Sequence, residues 1–472
     1  MRHSSQERLR QQVQFLRRQF LQDGNLPFTN VLTEEVIAQA LTAITGWLDR
    51  VFSPLVTLWV FLGQVLGADH SCRAAVARLI THRLARGQRP CSAETGAYCQ
   101  ARKRLPESFF ADVACQTGRA LEANVDSRWL WKGRHVYLFD GTTVTMADTR
   151  ENQKAYPQVY NQKPGLGFPI ARLGALISLA CGAVVNLGFC QYAGKGQGEV
   201  SLLRRLWDSL RPGDILLTDA LSANWANLVM LKERGLELVS RLNKAHRTAD
   251  FRRGKRLGQD DHVVQWRKPT SIRSLDREEY HALPEFITVR ETRIRVLQPG
   301  FRTRSLVVVT SLLDPEQMTK EDLATLYRAR WHNELDLRSL KSSMQMGELR
   351  CKTPELVRKE VWTHILAYNL LRTVMAQAAA RHGLAPRTIS FTGAMQTVEA
   401  FQPLLEFGAA QDAASRLRLY HDLLDAIATH RVGDRPDRYE PRVKKRRRNH
   451  YGWLTEPRAE MKRKMAKGVT KI

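Results

Sequence analysis

LYRARWHNELDLRSLK, residues 326–341, predicts a helix with two chemically different faces. At about 100° per residue, four polar side chains fall within an arc of about 60°, while the leucines cluster on a separate flank. The four are Tyr327, Arg330, Glu334 and Lys341. A carboxylate among two cations and a phenol is unusual for a solvated face, which simple i, i+4 ion pairs would serve as well. Taken alone, the segment is explained equally well as a surface helix with incidental salt bridges.

The chain is long and strongly basic. Its 472 residues exceed what one compact core holds, so we expect about two to four domains. The 73 Lys and Arg against 47 Asp and Glu give a net charge of +26 and a sequence pI near 10.2, which indicates a polyanionic partner. Nucleic acid is the simplest such partner, and an anionic membrane is the rival.

Cysteine spacing and the amino terminus indicate a protein that stays inside a reducing cell. The seven cysteines include no CxxC pair and no Cys/His ligand spacing, so neither a zinc site nor a disulfide framework is predicted. Residues 1–20 are charged throughout and contain no apolar signal core, so export is not expected. Residues 51–68 carry no charge, but Pro54 and Gln64 interrupt them, which favours a buried helix over a membrane span.

Residues 1–130 are predicted to form a helical domain, because apolar positions recur at helical spacing. Within it, Ser92 and Glu94 open a turn before a basic helix. The cations at 102–104 end that helix, and they are interpreted either as DNA backbone contacts or as solvated surface. We expect this domain to bind DNA.

Strand-rich runs follow the helical domain. Segments 135–146, 170–181 and 183–194 are rich in β-formers, with a tight turn expected at 181–183. A helix, a short buried strand, a second helix and another strand come next. Three antiparallel strands followed by αβαβ is the order expected of a ribonuclease H-like layer, so 131–240 is predicted to be the first part of such an α/β core.

Composition divides the remainder of the chain. Short basic β-like pieces after residue 240 favour a functional insertion over a structureless loop. Thr319 and Asp322 form a helix-start signature ahead of the long helix that contains residues 326–341. The predicted division is a β-rich insertion at 241–310, the second part of the core with the Glu334 helix at 311–385, a helical region at 386–430 and a basic tail at 431–472 that contains KKRRR at 444–448.

Three carboxylates are the candidates for chemistry. Asp140 ends the apolar run VYLF, and Asp219 follows ILLT in the same manner. Acids at the carboxyl ends of neighbouring buried strands converge at one edge of an α/β sheet, and Glu334 would join them from the adjacent helix. Three converging oxygen ligands suit Mg²⁺, which prefers hard ligands and keeps waters and phosphate oxygens around it.

Each aspartate also has a purely structural explanation. Asp140 begins DGT, a strong hairpin signal, and Asp219 is placed to cap the next helix. The combination favours chemistry, because coincidence accounts poorly for two strand-end acids in the expected sheet and an acid within a cationic helical stripe. The net charge of +26 points the same way.

The order Asp, Asp, Glu, with a β-rich insertion before the Glu, resembles the DDE transposases of bacterial insertion sequences, specifically the "IS-four" type. That type carries a Tyr-x(2)-Arg-x(3)-Glu-x(6)-Lys signature, which Tyr327, Arg330, Glu334 and Lys341 match at every position. YLFDGTTVTM and PGDILLTDA look like the blocks of the two aspartates, and CQARKRLP resembles the stretch that commonly precedes the catalytic domain. The resemblance covers about residues 90–380.

The resemblance implies a reaction and its participants. The implied site residues are Asp140, Asp219 and Glu334 for catalysis and metal binding, and Tyr327, Arg330 and Lys341 for DNA binding. The implied cofactor is a pair of Mg²⁺ ions, with Mn²⁺ as a substitute. A homodimer would bind double-stranded DNA, both as transposon ends with inverted repeats and as target, and no membrane. Cut-and-paste transposition through a hairpin would take place in the bacterial cytoplasm, in association with the nucleoid.

One departure from the family pattern and two competing functions remain. The family often has Arg after the second aspartate, whereas Ala220 and Leu221 stand here, so a DNA contact from that Arg is absent or replaced. Trp266 is a candidate to support a flipped base, with a strand-core role as the alternative. The competing functions are a catalytically inactive or domesticated DNA-binding relative and a ribonuclease H-like nuclease without strand transfer.

Overall fold

The computed structural model describes residues 2–47, 50–245, 247–272, 275–295, 305–407, 412–433 and 452–467. Its α-helices are α1 (Arg2–Arg18), α2 (Glu34–Leu41), α3 (Pro54–Leu66), α4 (Cys72–Ala85), α5 (Gly96–Arg104), α6 (Glu107–Ala123), α7 (Arg150–Ala155), α8 (Glu199–Leu206), α9 (Trp225–Glu233), α10 (Arg277–Ala282), α11 (Lys320–Ala329), α12 (Trp331–Arg338), α13 (Pro354–Arg381), α14 (Phe391–Phe407), α15 (Ala413–Thr429) and α16 (Arg458–Ala466). Its strands are β1 (Val136–Met146), β2 (Ile170–Ser178), β3 (Val184–Gln191), β4 (Ile215–Thr218), β5 (Glu237–Arg241), β6 (Lys255–Gly258), β7 (Asp261–Arg267), β8 (Phe286–Arg295), β9 (Ser305–Thr310) and β10 (Glu348–Leu349).

The strands of the described chain form one mixed sheet in the order β3-β2-β1-β4-β5-β9-β8-β7-β6, with β10 paired to β1. β1, β2 and β3 run antiparallel, whereas β4 and β5 run parallel to β1. The turn between β2 and β3 is tight, because the Ser178 amide donates to Ala183 O over 2.8 Å and Gly182 has φ +83°. The predicted α/β class, antiparallel start and following αβαβ order are confirmed.

The stretch predicted to be a β-rich insertion contains β6 to β9. β9 pairs antiparallel with β5, so these strands extend the same sheet. Trp266 on β7 is 2% exposed, and its Nε1 donates to Glu291 Oε1 over 2.8 Å. Its ring also lies 4.4 Å from the Arg247 guanidinium. The strand-core role of Trp266 is confirmed, because a side chain covered in this way has no face open to a base.

The helices α1 to α6 precede the sheet. Ser53 caps α3 by accepting the Val56 amide, and α3 is buried over most of its surface. Burial between other helices explains why residues 51–68 carry no charge, so the core-helix interpretation is confirmed. None of the helices in the described ranges combines the length and apolarity that crossing a membrane requires.

The basic end of α5 differs from its prediction at one position. Lys103 and Arg104 are exposed, but Arg102 is 4% exposed. Its guanidinium lies 4.5 Å from the centre of the Tyr98 ring and 4.8 Å from that of Phe61. Tyr98 and Arg102 are one helical turn apart, so they share the buried face. Arg102 is therefore unavailable to DNA, which corrects the prediction.

α13 spans 28 residues and is buried through most of its length. It packs against α3, α6 and α15, and so joins the helices before and after the sheet. The helical region predicted at 386–430 contains α14 and α15 in its described part. The KKRRR run at 444–448 lies outside the described residues.

Candidate active site

Residues of β1 alternate between the two faces of the sheet. Leu138 belongs to the main core beside α11 to α13, whereas Phe139 belongs to a second core beside α8 and α9. Leu217 on β4 shares the face of Leu138. Two residues further on, Asp140 and Asp219 point to that same face. The parallel pairing of β1 with β4 ends at Leu138 and Leu217, and its register sets the two aspartates side by side.

Asp140 lies within β1 and not at its end, which corrects the prediction. The antiparallel pairing with β2 continues past Asp140, so β1 runs on and the hairpin explanation of DGT is wrong. Asp219 follows β4 and accepts the Leu221 amide over 3.0 Å. Asn224 caps α9, so the capping explanation of Asp219 is also wrong.

The predicted long helix is interrupted at Arg330. α11 begins with the predicted signature, a capping box between Thr319 and Asp322. The Arg330 amide donates to Tyr327 O over 3.2 Å, and the Arg330 carbonyl accepts the Asn333 amide over 3.0 Å. These i to i−3 bonds tighten the backbone and separate α11 from α12, so a single continuous helix was wrong. The predicted apolar flank is confirmed by the burial of Leu326, Leu337 and Leu340.

Arg330 connects two carboxylates that come from different elements. Its Nη2 donates to Glu334 Oε1 over 3.0 Å, and its Nη1 lies 3.9 Å from Asp140 Oδ2. Tyr327 packs against the main core with its hydroxyl beside Arg330. The structure therefore groups four of the predicted site residues, namely Asp140, Asp219, Tyr327 and Arg330.

Glu334 stays at the edge of this group. Over the part of the chain that the structure describes, no three His, Cys, Asp or Glu side chains are arranged to hold a metal ion. The Glu334 side chain is 41% exposed, and the Arg330 guanidinium stands between it and Asp140. In this arrangement Arg330 supplies the positive charge that the two carboxylates share.

The surroundings of Asp140 disfavour its ionised form. Burial raises the pKa of the Asp140 carboxyl to about 6. The Gly141 amide, 2.8 Å from Asp140 Oδ1, and the Arg330 charge oppose this rise in pKa, while Asp219 and Glu199 add to it. Carboxylates that share one site raise each other's pKa in this way until a cation compensates them. Asp140 is therefore suited to bind a proton or another cation.

Lys341 lies away from the carboxylates. It belongs to a π-helical turn, Ser339–Ser343, which shifts it off the straight stripe that regular helical spacing predicts. Its side chain packs over Gly347, whose carbonyl accepts the Thr145 amide over 3.0 Å. Thr145 stands five residues beyond Asp140 on β1, which is roughly 17 Å along a strand. The four signature residues therefore occupy two places along β1.

Arg241 belongs to the site and was not identified from the sequence. Thr218 pairs with Ser240 across β4 and β5, so Arg241 stands opposite Asp219 on the next strand. Arg241 is exposed, and its positive charge opposes the rise that burial causes in the pKa of Tyr327. Its position follows from sheet register, which no local pattern reveals.

Glu199 approaches Asp140 from the opposite face of the sheet. A Cβ at Gly141 would lie 2.4 Å from Glu199 Cγ, so this close approach requires glycine. Arg172 donates to Glu199 Oε1 over 2.8 Å and holds it there. The glycine directly after Asp140 was the sequence signal for this contact, and DGT was instead interpreted as a turn.

α12 carries two buried polar residues beside Glu334. Asn333 is fully buried, and neither polar atom of its amide has a hydrogen-bond partner among the residues described. Asp336 is 1% exposed and is held by Arg372 and by Arg387, whose Nη1 lies 2.6 Å from Asp336 Oδ2. This buried ion cluster fixes α12 in place, and no spacing in the sequence indicated it.

Comparison with known proteins assigns the chain to a family. A family model described as a transposase DDE domain matches residues 131–370. The chain belongs to the DDE transposase family. Transposase InsG for insertion sequence element IS4, from Escherichia coli strain K12, is 28% identical to this transposase over 396 residues, which are 83% of this chain and 84% of the relative. The predicted IS-four type, enzyme class and function in DNA transposition are confirmed.

Two further similarities are shorter or weaker. The transposase for insertion sequence element IS421 from Escherichia coli is 32% identical over 69 residues, 15% of this chain and 19% of that one. The cryo-EM structure of the piggyBac transposase synaptic complex with hairpin DNA has a TM-score of 0.44 and 9% identity, covering 88% of this transposase and 87% of that chain. Enzymes of the DDE family use divalent metal ions and bind DNA, so both predicted classes of ligand are confirmed at that level.

Proposed function

We propose that Asp140, Asp219 and Glu334 bind divalent cations in this transposase, with Mg²⁺ as the natural ion, two per site, and Mn²⁺ as a substitute. The side-by-side position of Asp140 and Asp219 carries the proposal, since two carboxylates on one sheet face concentrate negative charge and oxygen ligands where a divalent cation can bind. Carboxylate oxygens are the ligands that Mg²⁺ prefers. The raised pKa of Asp140 fits a site that gains a compensating cation when it is loaded.

Arg330 has two alternative partners under this proposal. Without metal, its guanidinium reaches Glu334 and Asp140. With a divalent cation held by Asp140, Asp219 and Glu334, the Arg330 guanidinium would be available to a DNA phosphate, for which its planar fork provides a bidentate clamp. Glu334, whose side chain is 41% exposed, would be the third carboxylate ligand.

The DNA contacts are proposed for two places along β1. Arg330 and Arg241 flank the carboxylates, where Tyr327 adds a hydroxyl donor. Lys341 packs beside the end of β1 at Thr145, which is roughly 17 Å from Asp140 along the strand, so we propose that it contacts a phosphate away from the scissile bond. Arg241 replaces the Arg that the family often carries directly after the second aspartate.

These side chains hold a phosphodiester for in-line attack, first by water and then by the freed 3′ hydroxyl. Arg330 and Arg241 orient its non-bridging oxygens and balance the charge that develops on them. Bound divalent cations supply further stabilisation of the attacking and leaving oxygens. No covalent bond between the protein and DNA is required.

The finer features of the reaction and of the architecture remain predictions. For the reaction they are inverted-repeat ends, a hairpin intermediate, insertion into target DNA, a homodimer on paired ends and association with the nucleoid. A ribonuclease H-like core is proposed on the strand order β3-β2-β1-β4-β5, which β6 to β9 extend. The proposed parts are a helical domain at 1–130, the core at 131–240 and 311–385, the insertion at 241–310, a helical region at 386–430 and a basic tail at 431–472.

Cleavage of a plasmid that carries this gene with its flanking DNA tests the proposal. Wild-type protein with Mg²⁺ is expected to cut at two inverted ends, and Glu334→Ala is expected to bind the plasmid without cutting it. Joining of the cut ends to new DNA separates transposition from plain nuclease activity. If both proteins bind and no metal elicits cutting, the proposal fails and an inactive DNA-binding relative is favoured.

A further inference from the structure

The connection from β1 to β2 ends in a compact surface loop, residues 157–169, called here the Ω-loop. Its ends meet, because the Ile170 amide donates to Tyr156 O over 3.2 Å and the Met146 amide donates to Pro169 O over 3.1 Å. Surface loops of about 6–16 residues whose ends are close are frequently functional.

Gln158 holds the Ω-loop in one shape from within. Its Oε1 accepts the amides of Gly165 and Gly167 over 2.9 and 3.1 Å. Its Nε2 donates to the carbonyls of Gln162 and Lys163 over 3.1 and 2.9 Å. Because one side chain ties the backbone at four places, the loop loses little conformational entropy when it binds a partner.

The ordered Ω-loop presents large aromatic rings to solvent. Tyr160 is 89% exposed and Phe168 is 63% exposed. Lys163, which lies between them in the sequence, is exposed as well. Exposed rings in a loop that also carries an exposed cation match the way in which proteins bind single-stranded nucleic acid, where bases stack on aromatic side chains and cations contact the backbone.

The helix α16, which carries several basic residues, begins beside the Ω-loop. A Cβ at Gly165 would lie 3.1 Å from Pro457 Cγ, and Pro457 is the residue directly before α16. Trp453, just before it, is 85% exposed. The basic side chains of α16 are Arg458, Lys462, Arg463 and Lys464, of which Lys464 pairs with Glu456 over 2.5 Å. This second observation also favours a polyanion that carries planar bases.

The Ω-loop lies on the line that the proposed DNA contacts follow. The chain enters the connection at Met146, six residues beyond Asp140 on β1, which is roughly 20 Å along a strand. Lys341 packs beside Thr145, between these two points. The carboxylates, Lys341 and the Ω-loop therefore succeed one another along β1.

We propose that the Ω-loop binds unpaired bases of the DNA strand that leaves the carboxylate site. Tyr160 and Phe168 are the stacking surfaces, and Lys163 contacts the adjoining phosphate. The proposal rests on the proposed function, because strand cleavage is what supplies unpaired bases there. Stacking accepts every base, so the Ω-loop requires no particular sequence.

Binding of a labelled duplex of about 20 base pairs, with or without a single-stranded thymidine tail of about eight nucleotides, tests the proposal. Fluorescence anisotropy is recorded in EDTA, so that the result does not depend on cleavage. Wild type is expected to bind the tailed duplex at least about fivefold more tightly than the blunt one. Tyr160→Ala/Phe168→Ala should lose that preference and keep its affinity for the blunt duplex.

Two controls keep the outcome specific to the Ω-loop. Phe286→Ala removes a ring of similar exposure, 52%, on β8 and should retain the tail preference. Gln158→Ala keeps both rings but loosens the loop, and should reduce the preference.

Two results would overturn the proposal. One is a double variant that keeps the tail preference, and the other is a double variant that weakens binding of both duplexes alike. A wild type that prefers the tail but never cuts the plasmid would contradict the proposed function alone.

Discussion

Glu334 and Asp336 lie two residues apart on α12, and their surroundings differ sharply. Asp336 is buried between the guanidinium groups of Arg372 and Arg387, so its charge is compensated within the protein. Glu334 is half exposed and shares one guanidinium, that of Arg330, with an aspartate on β1. A complete ion cluster anchors a helix, whereas an incompletely compensated cluster in an accessible place is available to a ligand. We infer that α12 is anchored at Asp336 and presents Glu334.

Glu334→Gln removes the negative charge of the accessible carboxylate, and we expect it to change the cleavage rate more than substitution of Arg330 or Lys341 does. Loss of one negative ligand, with the shape of the side chain retained, should lower the cleavage rate at least about a thousandfold. The unfolding midpoint should hardly change, because the Glu334 side chain is 41% exposed. Plasmid cleavage and thermal unfolding are measured on one preparation. A marked fall in the midpoint would instead assign Glu334 a role in folding.

Asp336→Ala removes the carboxylate of the buried ion cluster. Two buried guanidinium groups lose their carboxylate, so the free energy of unfolding should fall by about 3–5 kcal/mol. Denaturant titration measures the loss. Glu321→Ala on α11, which removes an exposed acid, is the control and should change the free energy by less than about 0.5 kcal/mol. Unchanged stability with lost cleavage would show that Asp336 acts in the chemistry and is no anchor.

Arg330→Ala removes the cation that Asp140 and Glu334 share. A charged donor to the DNA phosphate is lost, which should lower the cleavage rate about tenfold to a hundredfold. Arg330→Lys should recover only part of the rate, because an ammonium group cannot form the bidentate clamp. Single-turnover cleavage compares the three proteins. Complete recovery of the cleavage rate in Arg330→Lys would show that Arg330 contributes only its charge and no bidentate geometry.

Asp140→Asn tests whether the raised pKa of Asp140 makes the stability of the protein depend on pH. Burial raises the pKa of Asp140 from 3.8 to about 6, so its ionisation costs stability as the pH rises through that value. At about pH 7.5 the metal-free variant should be more stable than wild type by on the order of 1–3 kcal/mol, and the difference should vanish below about pH 3. Denaturant titrations at both pH values decide. A variant less stable than wild type at the higher pH would argue against the raised pKa.

Lys341→Ala has the smallest expected effect. It removes one phosphate contact at the far end of the proposed track and leaves the carboxylates intact. Affinity for end DNA should fall about fivefold, and the slope of log K against log salt should become less negative by about 0.9. A salt titration measures both quantities. An unchanged slope would exclude Lys341 from the phosphate contacts.

Much of the fold could be predicted because its signals are local. The alternation of elements through β5, the capping box at Thr319 and the burial of Leu326, Leu337 and Leu340 all depend on short-range spacing along the chain. Asp140 and Asp219 could be identified for the same reason, since each follows an apolar run. Local patterns thus located most of the candidate site.

What could not be predicted depends on contacts between distant segments. Arg241 stands opposite Asp219 through sheet register, and Asp336 pairs with Arg387, which lies 51 residues further along the chain, beyond α13. The interruption at Arg330 and the inward turn of Arg102 depend on what surrounds each residue. The acids could be identified from the sequence, whereas the cations near them depend on the tertiary structure.

Iron-directed cleavage of the protein chain tests most directly whether Asp140, Asp219 and Glu334 hold one metal site. Fe²⁺ bound in place of Mg²⁺ produces hydroxyl radicals with ascorbate and peroxide, and these radicals cut the backbone close to the ion. We predict cuts near residues 140, 219 and 334, suppressed by excess Mg²⁺ and absent in Asp140→Asn. Cuts elsewhere, or cuts that persist unchanged in the variant, would contradict the site.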